Sequence, residues 1–316
     1  MALPIGLFLL VAFGLVGLAM ATGWEATVNA FAVLQAPEIC ILLALSVVNY
    51  ACRGVRWHVF AQRLGLRTSL TQNIRHFLGG FAMSVTPGRV GELVRMRWLR
   101  RETGWSFERT APLVLVDRAA DLAAMAILLA ISLAFSASGM TGAVPVVLLA
   151  IAAAIVATRP RLLRMVGDAS HVLTRKAFPR LFARVRRAAA SLSAFTGPGL
   201  LLMAGALGVV GWLAEGYAFH LLLVWLGADI GLWAAIGIFI FATLAGGLTG
   251  APGGLGGAEA AMVALLLLDG VPLEVAVPAT LVIRVTTLWF AILIGIIVFP
   301  TAERASKKAE NALENG

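Results

Sequence analysis

Charge is scarce in this chain. Asp, Glu, Lys and Arg make up 13% of its 316 residues, 60% are hydrophobic, and the mean hydropathy is +0.92. A soluble domain of this length needs a more polar surface, so the composition excludes a water-soluble protein and fits one whose solvent is lipid. Cysteine is nearly absent too. Cys40 and Cys52 fall on one expected helix, where the rise between them is about 18 Å, too far for a disulfide. The four histidines, His58, His76, His171 and His220, show no metal-ligand spacing, and no Walker-type nucleotide loop occurs. The reading that follows is a protein without cofactor or metal, and not an enzyme.

What the chain does contain is long apolar runs. Residues 3–22, 37–59, 111–135, 143–158, 200–226 and 275–299 are long enough, or nearly so, to cross about 30 Å of hydrocarbon. The first lacks the basic start and small-residue cleavage pattern of a signal peptide, so it reads as a retained helix. The expected fold class is an all-α integral membrane protein forming a single membrane domain over residues 1–316.

The net charge of +9 invites a nucleic-acid reading, but its placement argues against one. Of the 25 Lys and Arg residues, eleven lie at 53–109, nine at 159–187 and three at 301–316; the remaining two, Arg118 and Arg284, sit inside apolar runs. If the three basic blocks face the cytoplasm, six spans put both termini inside, in the plasma (inner) membrane. Residues 159–198 then form a basic cytoplasmic loop and 301–316 a charged cytoplasmic tail. Trp24, Trp57, Trp98, Trp105, Trp212 and Trp225 read mostly as interfacial anchors.

Two short stretches repeat each other: Pro87-Gly88-Arg89-Val90-Gly91-Glu92 and Pro252-Gly253-Gly254-Leu255-Gly256-Gly257-Ala258-Glu259. Pro87 precedes Arg118 by 31 positions and Pro252 precedes Arg284 by 32. The chain therefore reads as two copies of one unit, residues 1–135 and 142–300, each of about three transmembrane helices plus a broken re-entrant hairpin. An odd number of crossings makes the copies inverted. Residues 88–101 carry five arginines and Glu92, which keeps them away from lipid and inside protein or a polar cavity. Residues 231–269 are more apolar and are long enough for two full spans instead.

A charge at membrane depth is costly unless it is paired or lines a polar cavity. The candidate substrate-binding residues are thus Pro87, Gly88, Gly91, Glu92, Asp117, Arg118, Pro252, Gly253, Gly254, Gly256, Glu259 and Arg284. Asp117 and Asp121 flank Arg118 and neutralise it locally. Arg284 has no acid within four residues, and its natural partner is Glu259 or a substrate phosphate. Glu215 and His220 lie within another expected span and have a weaker claim. A helix starting just after each Pro-Gly points its positive end at the site, which favours phosphate. The same glycines also suit plain close packing.

This pair of motifs, with Val116-Asp117-Arg118 after the first and Ile283-Arg284 after the second, resembles the lysylphosphatidylglycerol synthase transmembrane-region family, also called flippase-like membrane proteins. The resemblance covers nearly the whole chain. It implies movement of a lipid between leaflets, with phospholipid, polyprenyl-linked or hopanoid lipids as the range of cargo. The aminoacyl-transferase domain of the namesake proteins has no counterpart in these 316 residues. The second motif departs from the commoner form in having Gly257-Ala258 before Glu259.

The leading expectation is a flippase or scramblase for a lipid with an anionic or phosphate-bearing headgroup, its partners being membrane lipids and not nucleic acid. Two other classes compete. A membrane-embedded transferase would use Glu92 or Glu259 as base and an arginine as phosphate clamp. An anchor for lipid-biosynthetic enzymes would act through the basic loop instead.

Overall fold

The structure, a computed structural model, describes residues 34–84, 86, 90–136, 144–159, 192–249 and 251–314, together with Arg161, Leu162, Met165 and Asp168. The expected first span, most of the basic loop, and Pro87 and Gly88 lie outside the described residues. All the described elements are helical.

The helix α1, Ala36–Arg63, starts where Gln35 and Glu38 form a reciprocal cap, the Gln35 amide donating to Glu38 Oε2 at 2.7 Å. Its 28 residues extend about 42 Å. Then α2, Leu70–Gly80, opens on a second such cap between Ser69 and Gln72 and runs into a 3₁₀ turn at Phe81–Met83. The return arm α3 is Val90–Thr103. Next come α4, Phe107–Phe135, with Pro112 inside it, and α5, Val144–Thr158.

The second half follows the same order. A 28-residue helix α6, Pro198–Trp225, precedes α7, Leu232–Leu248, a 3₁₀ turn at Pro252–Gly254 and the return arm α8, Gly257–Leu268. After it α9, Leu273–Arg284, carries Pro278 six residues before Arg284, as α4 carries Pro112 six residues before Arg118. A π-helical segment, Val285–Trp289, joins α9 to α10, Phe290–Glu314.

Three helices are long and apolar enough to cross a membrane: Ala36–Arg63, Pro198–Trp225 and the continuous Leu273–Leu313. The hairpin arms have 11, 14, 17 and 12 residues, so Leu232–Leu248 reaches the lower end of a spanning length and the other three fall short of it. With 12 residues, Gly257–Leu268 is too short for the second of two full helical spans at 231–269. Large apolar side chains such as Leu148, Leu202, Leu268 and Ile297 face outward, a costly arrangement in water and a favourable one in lipid.

The halves interlock. The first hairpin packs against α10 of the second half, and the second hairpin packs against α4 of the first; α1 and α6 pack against each other. Between helices in lipid no hydrophobic driving force operates, so close contact and polar bonds must hold them together. Gly91 illustrates the first: a β-carbon there would lie 2.5 Å from the Gly80 carbonyl oxygen, so any larger residue would force α2 and α3 apart. Glu303 illustrates the second. It accepts from Arg97 Nη2 at 2.6 Å, Trp98 Nε1 at 2.8 Å and Arg101 Nη1 at 2.8 Å, which ties the charged C-terminal stretch of α10 onto α3.

Candidate functional site

The two repeated motifs meet at one cavity of about 470 Å³. Gly91, Glu92 and Arg118 line it from the first half, and Gly253, Gly254 and Arg284 from the second. Arg53 of α1, Arg95 of α3 and Glu215 of α6 complete its charged wall, with Tyr50 and Trp212 beside them.

Each hairpin sends a glutamate from its return arm to the arginine of the following helix. Glu92 Oε1 lies 3.3 Å from Arg118 Nε, close enough for an ion pair but without the alignment of a hydrogen bond. Glu259 Oε1 accepts from Arg284 Nε at 2.6 Å, and Arg284 Nη2 donates to the Gly253 carbonyl at 2.9 Å. The second bond depends on the turn: Gly253 and Gly254 have φ of 62° and 70°, the left-handed region that side chains disfavour. The sequence expectation that Glu259 partners Arg284 agrees with this geometry.

Behind Arg118 lie Asp117 and Asp121, as the sequence suggests, and they extend into a network with Arg53 and Arg56 that it did not. Asp117 is buried and accepts from Arg56 Nε at 3.0 Å, Arg56 Nη2 at 2.7 Å and Arg118 Nη2 at 2.8 Å. Asp121 binds Arg56 at 2.6 Å, Arg53 at 2.9 Å and Arg118 at 3.1 Å. Arg56 is fully buried. Two carboxylates so close together are tolerated because three guanidiniums share them.

Arg95 is the exception. It is buried at 5% exposure, yet among the described residues it has no ion pair, and its Nε has no hydrogen-bond partner. Its guanidinium instead lies 4.4 Å from the centre of the Phe77 ring, with Trp57 and Phe81 at 5.5 and 5.7 Å. Aromatic faces attract a cation but leave its N–H donors unsatisfied. An anion in the cavity would satisfy them.

The other expected site residues are placed as follows. Glu259 and Asp117 are buried behind the cavity wall. Gly256 precedes α8, exposed and away from the cavity lining, and Pro252 begins the 3₁₀ turn. Pro87 and Gly88 fall outside the described residues. Two sequence readings need correction. Arg53, Arg56 and Arg95 were counted in a cytoplasmic basic block, but they are interior, because aspartates and aromatic rings receive them there. Trp57, Trp98 and Trp212 are buried rather than interfacial: Trp98 donates to Glu303, and Trp212 Nε1 donates to Asp121 at 3.3 Å under the Arg53 guanidinium.

The π-helical segment after Arg284 also escaped the sequence reading. Such segments leave carbonyls outside the regular helical bonding, and the Tyr50 hydroxyl donates to that of Thr287. This bond links α1 of the first half to the segment that follows Arg284.

The family model described as the lysylphosphatidylglycerol synthase TM region matches residues 5–295. The chain belongs to this family. It is therefore an integral membrane protein, as its three apolar helices already indicate. Stretches of 107 and 89 residues are 34% and 33% identical to two UPF0104 membrane proteins of Methanothermobacter thermautotrophicus (strain Delta H). They cover 34% and 28% of this chain and 31% and 26% of those proteins, so the match spans less than a third of each relative.

Proposed function

We propose that this family member moves lipids with a phosphate-bearing headgroup between membrane leaflets, the headgroup passing through the cavity between the two motifs while the acyl chains stay in lipid. The observation that carries this reading is Arg95, a buried guanidinium on the cavity wall that has no ion pair among the described residues. Guanidinium geometry suits phosphate, which offers paired oxygens to its fork of donors.

The repeated order of long helix, broken hairpin and proline-bearing arginine helix supports a further part of the reading: the halves are inverted copies, and the cavity lies where they meet, as in other carriers built from such repeats. The termini then face the cytoplasm of a cell whose plasma membrane holds the protein. Leaflet exchange of fluorescent phospholipids in proteoliposomes tests the proposal. Protein-containing vesicles should exchange a phosphate-bearing lipid faster than protein-free ones. Equal rates across phosphatidylglycerol, phosphatidylethanolamine and polyprenyl phosphate would overturn it.

A further inference from the structure

Among the described residues, the cavity wall holds one acid that stands outside every ion pair. Glu215 sits on α6 within a 28-residue apolar helix, is 5% exposed, and lines the cavity. Among the described residues it takes part in no hydrogen bond or ion pair. Every other interior acid has one: Glu92 with Arg118, Asp117 with Arg56 and Arg118, Asp121 with Arg53, Arg56 and Arg118, and Glu259 with Arg284.

Several groups on the elements around Glu215 bear on its charge. Arg53 and Tyr50 act from α1, Asp121 from α4 and Arg284 from α9. The α7 helix contributes no ionisable residue. His220, on the same helix as Glu215, does not line the cavity. The two nearby arginines already hold other acids, Asp121 and Glu259.

Among the described residues, the charges of this interior form one set: those lining the cavity, their ion-pair partners, and the partners of those. The set holds five arginines, Arg53, Arg56, Arg95, Arg118 and Arg284, and five carboxyl groups, Asp117, Asp121, Glu92, Glu215 and Glu259. Guanidinium stays charged at any ordinary pH. The four paired acids are held by their arginines. Glu215 alone is free to exchange a proton without breaking an ion pair. With Glu215 ionised the set is neutral; with Glu215 protonated it carries one positive charge.

A phosphodiester brings one negative charge. Uncompensated charge in a low-dielectric interior is costly, so the neutral set admits that anion poorly and the singly positive set admits it well. We infer that Glu215 is a proton-coupling site: the cavity takes up one proton at the Glu215 carboxylate for each phosphodiester anion it binds, and releases it when the anion leaves. The proton adds to the carboxylate to give the neutral acid, and no other bond changes. This inference rests on the phosphate-headgroup reading above. It extends that reading by supplying coupling to a proton gradient, because proton and anion favour each other's binding reciprocally.

The test is calorimetric titration of the full chain in detergent with dioctanoyl phosphatidylglycerol, from about pH 5 to about pH 9, in pairs of buffers with different ionisation enthalpies. The difference between buffers gives the protons taken up per lipid. In the wild type, binding should weaken by up to about tenfold per pH unit toward high pH, with uptake approaching about one proton per lipid there. Glu215→Gln, which copies the neutral acid in shape and hydrogen bonding, should bind with one affinity across the range, take up no proton, and exceed the wild type at high pH. Wild-type binding that ignores pH would overturn the coupling and leave the headgroup reading standing. Proton uptake that persists in Glu215→Gln would move the coupling to another group and overturn this assignment. No binding at any pH, in wild type or variant, would overturn both.

Discussion

The two glutamate–arginine pairs come from the same motif and differ in their surroundings. Glu259 and Arg284 are 2.6 Å apart, with side chains 4% and 8% exposed, and among the described residues Arg284 has no other acid partner. Glu92 and Arg118 are 3.3 Å apart, with side chains 22% and 27% exposed, and Arg118 also holds Asp117 and Asp121. The Glu259–Arg284 pair is closed and exclusive, whereas the Glu92–Arg118 pair is open and shared. An exclusive buried pair fixes structure, since losing either member strands a charge. A shared pair can lose one contact and keep the others. On the proposed reading, the first motif is the half where a headgroup would displace an internal carboxylate at small cost, and Arg95, one turn beyond Glu92, stands beside it.

Substitutions can break this contrast, and their effects should fall in a definite order. Arg284→Ala should be the most damaging, at about 3–5 kcal/mol, because it leaves Glu259 buried without a countercharge. Replacing both partners together, Arg284→Met with Glu259→Leu, should recover most of that loss, as read from thermal unfolding in detergent. Arg118→Ala should cost less, about 1–3 kcal/mol, because Asp117 and Asp121 keep Arg56 and Arg53.

Two milder changes sharpen the comparison. Glu303→Gln weakens the bonds from Arg97, Trp98 and Arg101 that tie the first hairpin to α10. About 1 kcal/mol of loss is expected, with faster amide hydrogen exchange in α3 and unchanged exchange in α8. Glu92→Gln should have the smallest effect on folding, under about 1 kcal/mol. If it instead destabilises as much as Arg284→Ala, the two pairs are equivalent and the contrast is lost.

Much of the frame could be read from the residues, because apolar length and broken hairpins leave strong local signals. The expected runs at 37–59, 111–135 and 200–226 correspond to α1, α4 and α6, and the break expected at Pro252 separates α7 from α8, while the one expected at Pro87-Gly88 lies outside the described residues. The pairing of Glu259 with Arg284 was also accessible, because an arginine with no nearby acid demands a distant one. Arg53, Arg56 and Arg95 were misread for a physical reason. A basic residue near a helix end looks the same in sequence whether it meets headgroups or a buried aspartate 61 positions away, as Arg56 meets Asp117. Tryptophans at span ends are ambiguous in the same way. The π-helical turn after Arg284 lies within a continuous apolar run and interrupts neither its length nor its composition, the two signals read there.

The most direct measurement is leaflet exchange of fluorescent phosphatidylglycerol in proteoliposomes containing wild-type protein or Arg95→Gln, with thermal unfolding confirming that the variant folds. Among the described residues Arg95 has no ion pair to lose, so the variant should keep its fold. The account predicts that its exchange falls to the rate of protein-free vesicles. Exchange at the wild-type rate in a folded Arg95→Gln protein would contradict the claim that an unpaired guanidinium in the shared cavity receives the headgroup.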